Sequence, residues 1–252
     1  MKITPIKTPI VHKNDDLLQV ISSSIDSISE RSVLVVTSKV VALSEGAVAK
    51  KISGEKSEKW EIVKQQADFY TDPNESEYQL MLTIKDQVLA VNAGLDESNA
   101  DGDYVLLPQD CYASAQKIWN FLRQHYKVTE VGVLITDSRT FPLKWGVIGT
   151  ALAHCGFKAL NNRIGEADLF GHQMQMTQEN IAESLAVAGN VVMGEVAESQ
   201  PLALIEDVPM VQFMTVPPTT EELNLLKISI KDDAYAPILK KADWKKGGSH
   251  RS

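Results

Sequence analysis

The chain has 252 residues, of which 44% are hydrophobic and 23% are charged, and its formal net charge is −8 at pH 7. These proportions are typical of a soluble globular protein whose core fills one large or two small domains. Nucleic acids and anionic membranes bind to basic protein surfaces, and the negative net charge argues against such a surface here. We therefore expect neither as a partner.

The cysteines and the first residues bear on where the protein is located. Cys111 and Cys155 belong to no CxxC or Cys/His motif, which predicts a reduced, cytoplasmic protein. The first residues lack the long apolar segment of a signal peptide, and no apolar run is long enough to cross a bilayer.

Apolar periodicity and capping residues predict the elements of the first half of the chain. In order, these are an extended segment at 2–11, a helix capped by Asn14, a buried strand at 32–37, a helix at 57–70, and two paired strands at 79–84 and 87–91.

The second half mixes strands and helices without a strict alternation. The predicted elements are a strand at 104–107, a helix started by Pro108-Gln109-Asp110, a strand at 130–136, an extended segment at 147–153, a helix at 179–192, strands at 202–205 and 211–216, and a last helix from Thr220. This order favours an α+β fold over a doubly wound sheet. The tail holds the one concentration of basic residues, and we expect it to be frayed and solvated: Lys240, Lys241, Lys245, Lys246 and Arg251.

The segment VNAGLDESN (91–99) has the composition of a chemical site in a loop. A short apolar strand breaks at Gly94, and Asp96, Ser98 and Asn99 follow within five residues. Carboxylate, hydroxyl and carboxamide groups can hold a hard cation or a phosphate with its metal. An Asx-type turn that closes a hairpin explains the same residues, and the segment alone favours that alternative.

Three acidic residues stand at the ends of apolar segments: Asp96, Asp137 and Glu195. In one cleft their charges would repel unless a cation lay among them, and oxygen ligands suit Mg²⁺ or Mn²⁺ rather than zinc. As isolated loop acids they would be ordinary solvated turn residues, and their spacing does not decide between the two interpretations.

Other motifs are weak or missing. Ser38-Lys39 after a strand could bind phosphates or could simply be a polar strand end, and neither GxxxxGKS nor GxGxxG occurs. The five histidines form no HxH or HExxH motif, so structural or exposed roles are expected. Phe141 and Trp145 could contact a flat heterocycle, although core packing is the commoner role of such aromatics.

Five segments together resemble the coenzyme F420-0:γ-glutamyl ligase family. They are VVTSKVVALSEG, VNAGLDESN, VGVLITDS, GEADLFG and VVMGEVAESQP, in family order, and the resemblance covers about residues 8–201. It implies a two-domain α+β homodimer with mixed sheets, without a Rossmann fold or a phosphate loop. The domains would be a discontinuous nucleotide- and metal-binding domain at 1–75 plus 183–252, and an inserted domain at 76–182 that contributes metal ligands and the acceptor site.

The resemblance also implies a cofactor set and a site. The site would use two Mg²⁺ or Mn²⁺ ions, GTP or ATP as co-substrate, and K⁺ as an optional further ion. Asp96 and Asp137 would hold the first metal, and Ser138 and Glu195 the second, with the three acids as the catalytic set. The residues expected around the nucleotide are Pro9, Ile10, Val11, Ser38, Lys39, Asn99, Met193, Gly194 and Gln200.

The implied reaction joins the amine of L-glutamate to a carboxylate of a cofactor acceptor. The nucleotide first phosphorylates that carboxylate, which needs no covalent nucleophile and agrees with the lack of a Ser/His/Asp or Cys/His constellation. Glu97 and Asp168 are the candidate bases for the amine. Two alternatives of another class remain: a metal-nucleotide-binding protein without turnover, and a scaffold without ligands.

The sequence departs from the deazaflavin-type members of the family at three places. Leu43 stands where they carry a basic residue, RTFPLKWG (139–146) replaces their Phe-Gly-Arg-Pro-like run, and Arg163 lies one place early before Ile164-Gly165. These changes resemble a bacterial branch named for folate metabolism. Since arginines suit the phosphodiester of coenzyme F420-0, their loss favours a folate-like pterin acceptor, with F420-0 as the alternative. Arg139 and Lys144 remain candidates for binding a glutamate carboxylate.

Overall fold

A computed structural model of the chain describes residues 1–248. The strands are β1 Lys2–Ile6, β2 Ser32–Thr37, β3 Val48–Ala49, β4 Phe69–Tyr70, β5 Leu82–Lys85, β6 Val88–Val91, β7 Tyr104–Val105, β8 Val131–Thr140, β9 Val147–Cys155, β10 Leu160–Asn162, β11 Gln178–Asn180, β12 Leu202–Glu206 and β13 Lys245–Lys246. The α-helices are α1 Leu17–Ser24, α2 Ser38–Ser44, α3 Lys56–Gln66, α4 Cys111–Tyr126, α5 Ile181–Met193, α6 Thr220–Leu225 and α7 Ala236–Leu239.

A five-stranded mixed sheet in the order β1-β12-β2-β8-β9 forms the centre of the fold. Only β2 and β8 are parallel; the other neighbours are antiparallel. The sheet is buried on both faces, because Leu34 and Val36 face a cluster that includes α4, whereas Val33 and Val35 face a cluster that includes α5. This explains why 32–37 is a continuous apolar run, as strands covered on both faces usually are.

A smaller sheet, β13-β4-β5-β6, packs with α3 around a separate apolar cluster. Val63 and Ala67 of the α3 region meet Met81, Leu95 and Tyr104 there. The mixed α+β class is therefore confirmed. The central sheet takes strands from both predicted domain ranges, and the division into 1–75 plus 183–252 and 76–182 stays a prediction.

Several predicted elements are confirmed and others are wrong in their limits. The strand at 32–37, the hairpin of β5 and β6, a helix starting at Pro108–Asp110 and the helix from Thr220 are as expected, with Asp110 as the N-cap of α4. The first helix is capped by Asp16 rather than Asn14. The predicted helix at 57–70 ends at Gln66, because Phe69–Tyr70 pairs with β5 and β13.

The last third of the chain differs in two more places. Residues 211–216 form no strand in the described structure, where Phe213 makes only an isolated bridge to Phe157. The basic tail is not frayed at Lys245–Lys246, which pairs with β4, and the Lys245 ammonium lies 3.0 Å from Asp72. Arg251 and His250 lie outside the described residues.

No helix in residues 1–248 is long and apolar enough to cross a membrane. Both cysteines are free, and the cytoplasmic location stays a prediction.

Candidate functional site

The loop after β6 presents Asp96 through an unusual backbone turn. Asn92 and Ala93 both have φ of 52°, and the Asn92 side chain accepts a hydrogen bond from Met81 N at 3.1 Å. Asp96 then pairs with Val105 through two backbone hydrogen bonds of 2.9 and 3.0 Å. Ser98 N donates to Asp96 Oδ1 at 2.8 Å, so the Asx turn is present. Such left-handed non-glycine residues persist only where the surrounding structure holds them, as these contacts do.

One group of side chains gathers where β2 and β8 end. The parallel register pairs Thr37 with Thr136, so Ser38 and Asp137 follow at the same edge of the sheet. There the Ser38 side chain is hydrogen-bonded to Asp137. Lys39 reaches across to the loop, with Nζ 2.7 Å from Asp96 Oδ2 and 2.9 Å from Ser98 Oγ. Two carboxylates, two hydroxyls and an ammonium therefore meet at the carboxyl ends of parallel strands, where α/β sheets commonly bind ligands.

The electrostatics of Asp96 and Asp137 differ. Burial raises the pKa of Asp137 to about 6, and the negative charge of Asp96 adds to that effect. Burial also raises the pKa of Asp96, but the hydrogen bond and charge of Lys39 and the hydrogen bonds from Ser98 outweigh it, so the net shift is downward. A cation between the two carboxylates would offset both the burial and the mutual repulsion. The donor set consists of hard oxygens and fits Mg²⁺ or Mn²⁺.

A second group lies on the other side of the β8 end. Ser138 Oγ is 2.8 and 3.0 Å from the two Glu195 carboxylate oxygens, and Asn190 Nδ2 donates to Glu195 Oε1 at 2.8 Å. Asn190 projects from α5, which approaches β9 closely because residue 149 is glycine: a Cβ there would lie 2.7 Å from Asn190 Cβ. Sequence reasoning missed Asn190. Its only signal is a carboxamide within the apolar helix sequence SLAVAGNVVM.

Three of the predicted nucleotide segments are joined to one another by hydrogen bonds beside these groups. Asn99 Nδ2 donates to Val196 O at 2.9 Å, and Thr8 N donates to Ser199 O at 3.1 Å. The structure thus brings the 8–11 segment, Asn99 and the 193–200 loop together. The loop starts at Gly194, whose φ of 79° suits glycine and leaves room for the Glu198 side chain. Gln200 is partly buried at the end of the loop.

The predicted nucleotide residues differ widely in exposure. Ile10 is exposed, and Pro9 lies beside it on the surface. Val11 and Met193 are instead core residues, each in a different apolar cluster. Across residues 1–248, no three His, Cys, Asp or Glu side chains form a metal-binding cluster. The three acids are placed in two pairs, Asp96 with Asp137 and Glu195 with the Ser138 hydroxyl, and the metal and nucleotide roles of these residues stay predictions.

Both candidate bases are engaged in ionic or turn contacts. Lys59 and Lys51 donate to the two Glu97 oxygens at 2.6 and 2.9 Å, and these hydrogen bonds lower the pKa of Glu97. Asp168 accepts hydrogen bonds from His172 N and Phe170 N, which lower its pKa. A carboxylate with a lowered pKa is a weaker base, so neither residue is suited to deprotonate an amine.

The residues that depart from the family pattern have distinct surroundings. Leu43 is buried in the core, and Arg163 makes ion pairs of 3.2 Å with Glu166 and 3.1 Å with Glu179. Trp145 lies at the tip of the β8–β9 hairpin, is 92% exposed and has the Tyr78 ring edge-on beside it, so the core-packing alternative is wrong for this residue. Phe141 is also exposed. Both aromatics are thus accessible to a ligand or a partner.

Comparison with known proteins identifies the family. A sequence profile described as F420-0:Gamma-glutamyl ligase matches residues 5–207. Three similar proteins are each named coenzyme F420:L-glutamate ligase. That of Archaeoglobus fulgidus is 30% identical over 81% of this chain and 87% of its own length. Those of Methanopyrus kandleri and Methanosarcina mazei are 32% and 30% identical, over 77% and 79% of this chain and 81% and 82% of theirs.

The profile covers every predicted site residue from Pro9 to Gln200, and therefore the Asp96–Asp137 pair, the Ser138–Glu195 pair and the predicted nucleotide segments. The chain belongs to the F420-0:γ-glutamyl ligase family.

Proposed function

We propose that the protein is a nucleotide-dependent ligase that forms a γ-glutamyl amide bond between L-glutamate and a carboxylate of a cofactor acceptor. The meeting of Asp96, Asp137, Ser38 and Lys39 at one edge of the central sheet carries this proposal. Anionic groups and an ammonium there suit a metal-bound phosphate chain, and the names of the relatives supply glutamate as a substrate.

The reaction needs two displacements. An acceptor carboxylate oxygen attacks the γ-phosphorus of GTP or ATP, the bond to the β-phosphate oxygen breaks, and the nucleoside diphosphate leaves. The glutamate nitrogen then attacks the acyl carbon, the C–N bond forms, and the C–O bond to phosphate breaks. The proton lost from the amine goes to the departing phosphate, since Glu97 and Asp168 are both held as weak bases.

The residues of this chain would hold and orient the reactants. Lys39 would bind phosphate oxygens once a cation releases it from Asp96, and Ser38 would keep the Asp137 carboxylate in place. Asp96 with Asp137, and Ser138 with Glu195, would hold two divalent ions. When bound, Mg²⁺ or Mn²⁺ screens the charge of the phosphates against the incoming carboxylate.

For the acceptor we propose a folate-like pterin, with F420-0 as the alternative that the names of the relatives favour. Leu43 is buried and Arg163 is already paired, so neither position offers the free positive charge that would suit the F420-0 phosphodiester. Phe141 and Trp145 offer exposed flat surface to a ring. Direct competition between dihydropteroate or a folate monoglutamate and F420-0 tests this choice, because glutamylation of F420-0 alone would contradict it.

The proposal includes a homodimer. Support comes from large exposed apolar side chains in the hairpin loop between β10 and β11, where Leu169 is 99%, Phe170 85% and Met176 86% exposed. Exposed apolar groups clustered in one loop are typical of interaction surfaces.

Mass spectrometry of reaction products tests the ligase directly. The purified protein is incubated with L-glutamate, ATP or GTP, Mn²⁺ and each acceptor, with Asp96→Asn as the control variant. We expect a product heavier than the acceptor by one or more glutamyl residues, together with nucleotide hydrolysis that depends on glutamate and acceptor. If Mn²⁺ and nucleotide raise the melting temperature but no product forms, the result favours a metal-nucleotide-binding protein without turnover. If the melting temperature does not change, the result favours a scaffold without ligands.

A further inference from the structure

Arg139 is the one arginine in the described chain whose guanidinium makes no hydrogen bond. Its Nη2 lies 3.9 Å from Glu183 Oε2, which is too long for a hydrogen bond, and its Nε is buried without a partner. By contrast, Arg31 donates to Glu130 at 3.0 Å, Arg123 to Thr215 O at 3.2 Å, and Arg163 to two carboxylates.

The Glu183 carboxylate does not pair with Arg139 alone, because it already accepts hydrogen bonds from two other residues. Thr150 Oγ1 lies 3.1 Å from both Glu183 oxygens, and Ala151 N donates to Oε2 at 3.2 Å. Buried polar atoms in native proteins are nearly always hydrogen-bonded, and a guanidinium carries five N–H donors. A half-covered arginine with unmet donors therefore has the chemistry of a site for an oxyanion that arrives from outside the chain.

Arg139 lies close to Asp137, one of the residues proposed to take part in the reaction. Arg139 lies on β8 two residues beyond Asp137, so the two are about 7 Å apart along the strand. Thr150, which contacts Glu183, is the strand partner of Asp137. The side chain of Arg139 is 32% exposed, which leaves its outer edge open to a ligand.

We infer that Arg139 binds a carboxylate of the incoming L-glutamate. The deduction rests on the proposed ligase function, because that function places the acyl phosphate beside Asp137. The glutamate α-carboxylate is attached to the carbon that bears the amine, so binding it two residues along β8 from Asp137 holds the amine close to the acyl carbon. Arginine matches a carboxylate with two parallel hydrogen bonds, which fixes orientation as well as affinity.

The test compares Arg139→Gln and Arg139→Lys with Arg31→Gln as a matched control, since Arg31 is an ion-paired surface arginine on the opposite end of the sheet. In steady-state assays we expect Arg139→Gln to raise the KM for glutamate about 10- to 100-fold, the effect of losing charged hydrogen bonds. The KM values for nucleotide and acceptor stay within about twofold, Arg139→Lys recovers part of the loss, and Arg31→Gln behaves as wild type. The melting temperature of Arg139→Gln does not fall, because no protein hydrogen bond is removed.

The outcomes separate this inference from the ligase proposal. An active enzyme whose glutamate KM is unchanged in Arg139→Gln overturns the Arg139 assignment alone, and so does a selective rise in the KM for nucleotide or acceptor. If no acceptor is glutamylated, the ligase proposal fails. The Arg139 assignment is then tested by calorimetric titration of the protein with L-glutamate. Binding by the wild type that is lost in Arg139→Gln supports the assignment, whereas equal binding, or none, overturns it.

Discussion

Replacing Asp137 with asparagine tests the candidate site through stability as well as activity. Folding raises the pKa of Asp137 from 3.8 to about 6, chiefly because the carboxyl group is buried. Since one pKa unit is equivalent to about 1.4 kcal/mol, the ionised carboxylate lowers the free energy of unfolding by up to about 3 kcal/mol. The residue keeps some exposure to solvent, which reduces the expected effect to about 1–3 kcal/mol.

The direction of the pKa shift sets the pH dependence. The folded protein holds the Asp137 proton more tightly than the unfolded chain does. The contribution of this tighter binding to the free energy of unfolding is complete below pH 3.8 and is lost as the pH rises through about 6. Asparagine does not ionise. We therefore expect metal-free Asp137→Asn to be more stable than the wild type at pH 8, with a difference that shrinks as the pH approaches 4. Turnover should fall by orders of magnitude, because a metal carboxylate is lost.

Urea denaturation in EDTA across this pH range measures the stability difference, and mass spectrometry of products measures activity. Asp26→Asn is the control, since Asp26 is an exposed carboxylate and its replacement should change the free energy of unfolding by less than about 0.5 kcal/mol. An Asp137→Asn protein that is less stable than wild type at pH 8 without metal, or that keeps near-normal turnover, would refute the reasoning.

Three other outcomes are expected. Asp96→Asn keeps the fold by circular dichroism but loses product formation, and normal activity at ordinary Mn²⁺ concentration would remove Asp96 from the site. Burial lowers the pKa of His154 from 6.5 to about 4, so the free energy of unfolding should fall by up to about 3 kcal/mol between pH 6.5 and 4. Urea denaturation of wild type and His154→Gln checks this, because the variant should lack that part of the pH dependence. Light scattering at micromolar concentration should give the mass of a dimer, and a clean monomer contradicts the proposed homodimer.

Local sequence patterns predict elements whose stability is local or whose burial is uniform. The buried strand at 32–37 is one such case, and the start of α4 next to Pro108-Gln109-Asp110 is another. The helix predicted at 57–70 fails because Tyr70, although spaced for the helical face, pairs with Thr83 and with Lys245. A strand partner so distant in the chain leaves no periodic signal, so tertiary pairing overrides local propensity.

Some residues of the candidate site can likewise be recognised from local sequence, whereas others depend on tertiary packing. Asp96, Ser98 and Asn99 are recognisable because they are close together in the sequence, and so are Asp137 and Ser138. The strand at 130–136 extends to Thr140 instead, because the polar residues after Asp137 pair with β9 in a hairpin that a hydrophobic pattern does not reveal. Asn190 and the unsatisfied guanidinium of Arg139 depend on how α5 packs against β9, which no local motif records.

The Asp96–Asp137 pair and the Ser138–Glu195 pair share one strand end, and the geometry of that strand directs them to opposite faces. Successive side chains of a β-strand point to opposite faces, and Asp137 and Ser138 are successive residues of β8. Asp137 therefore meets Ser38 and Asp96, whereas Ser138 meets Glu195 beside α5. The absence of a three-carboxylate cluster in residues 1–248 and the presence of two oxygen-rich pairs both agree with this alternation. Since adjacent residues are only about 3.3 Å apart along a strand, both pairs could contact one phosphate chain that lies across the strand end.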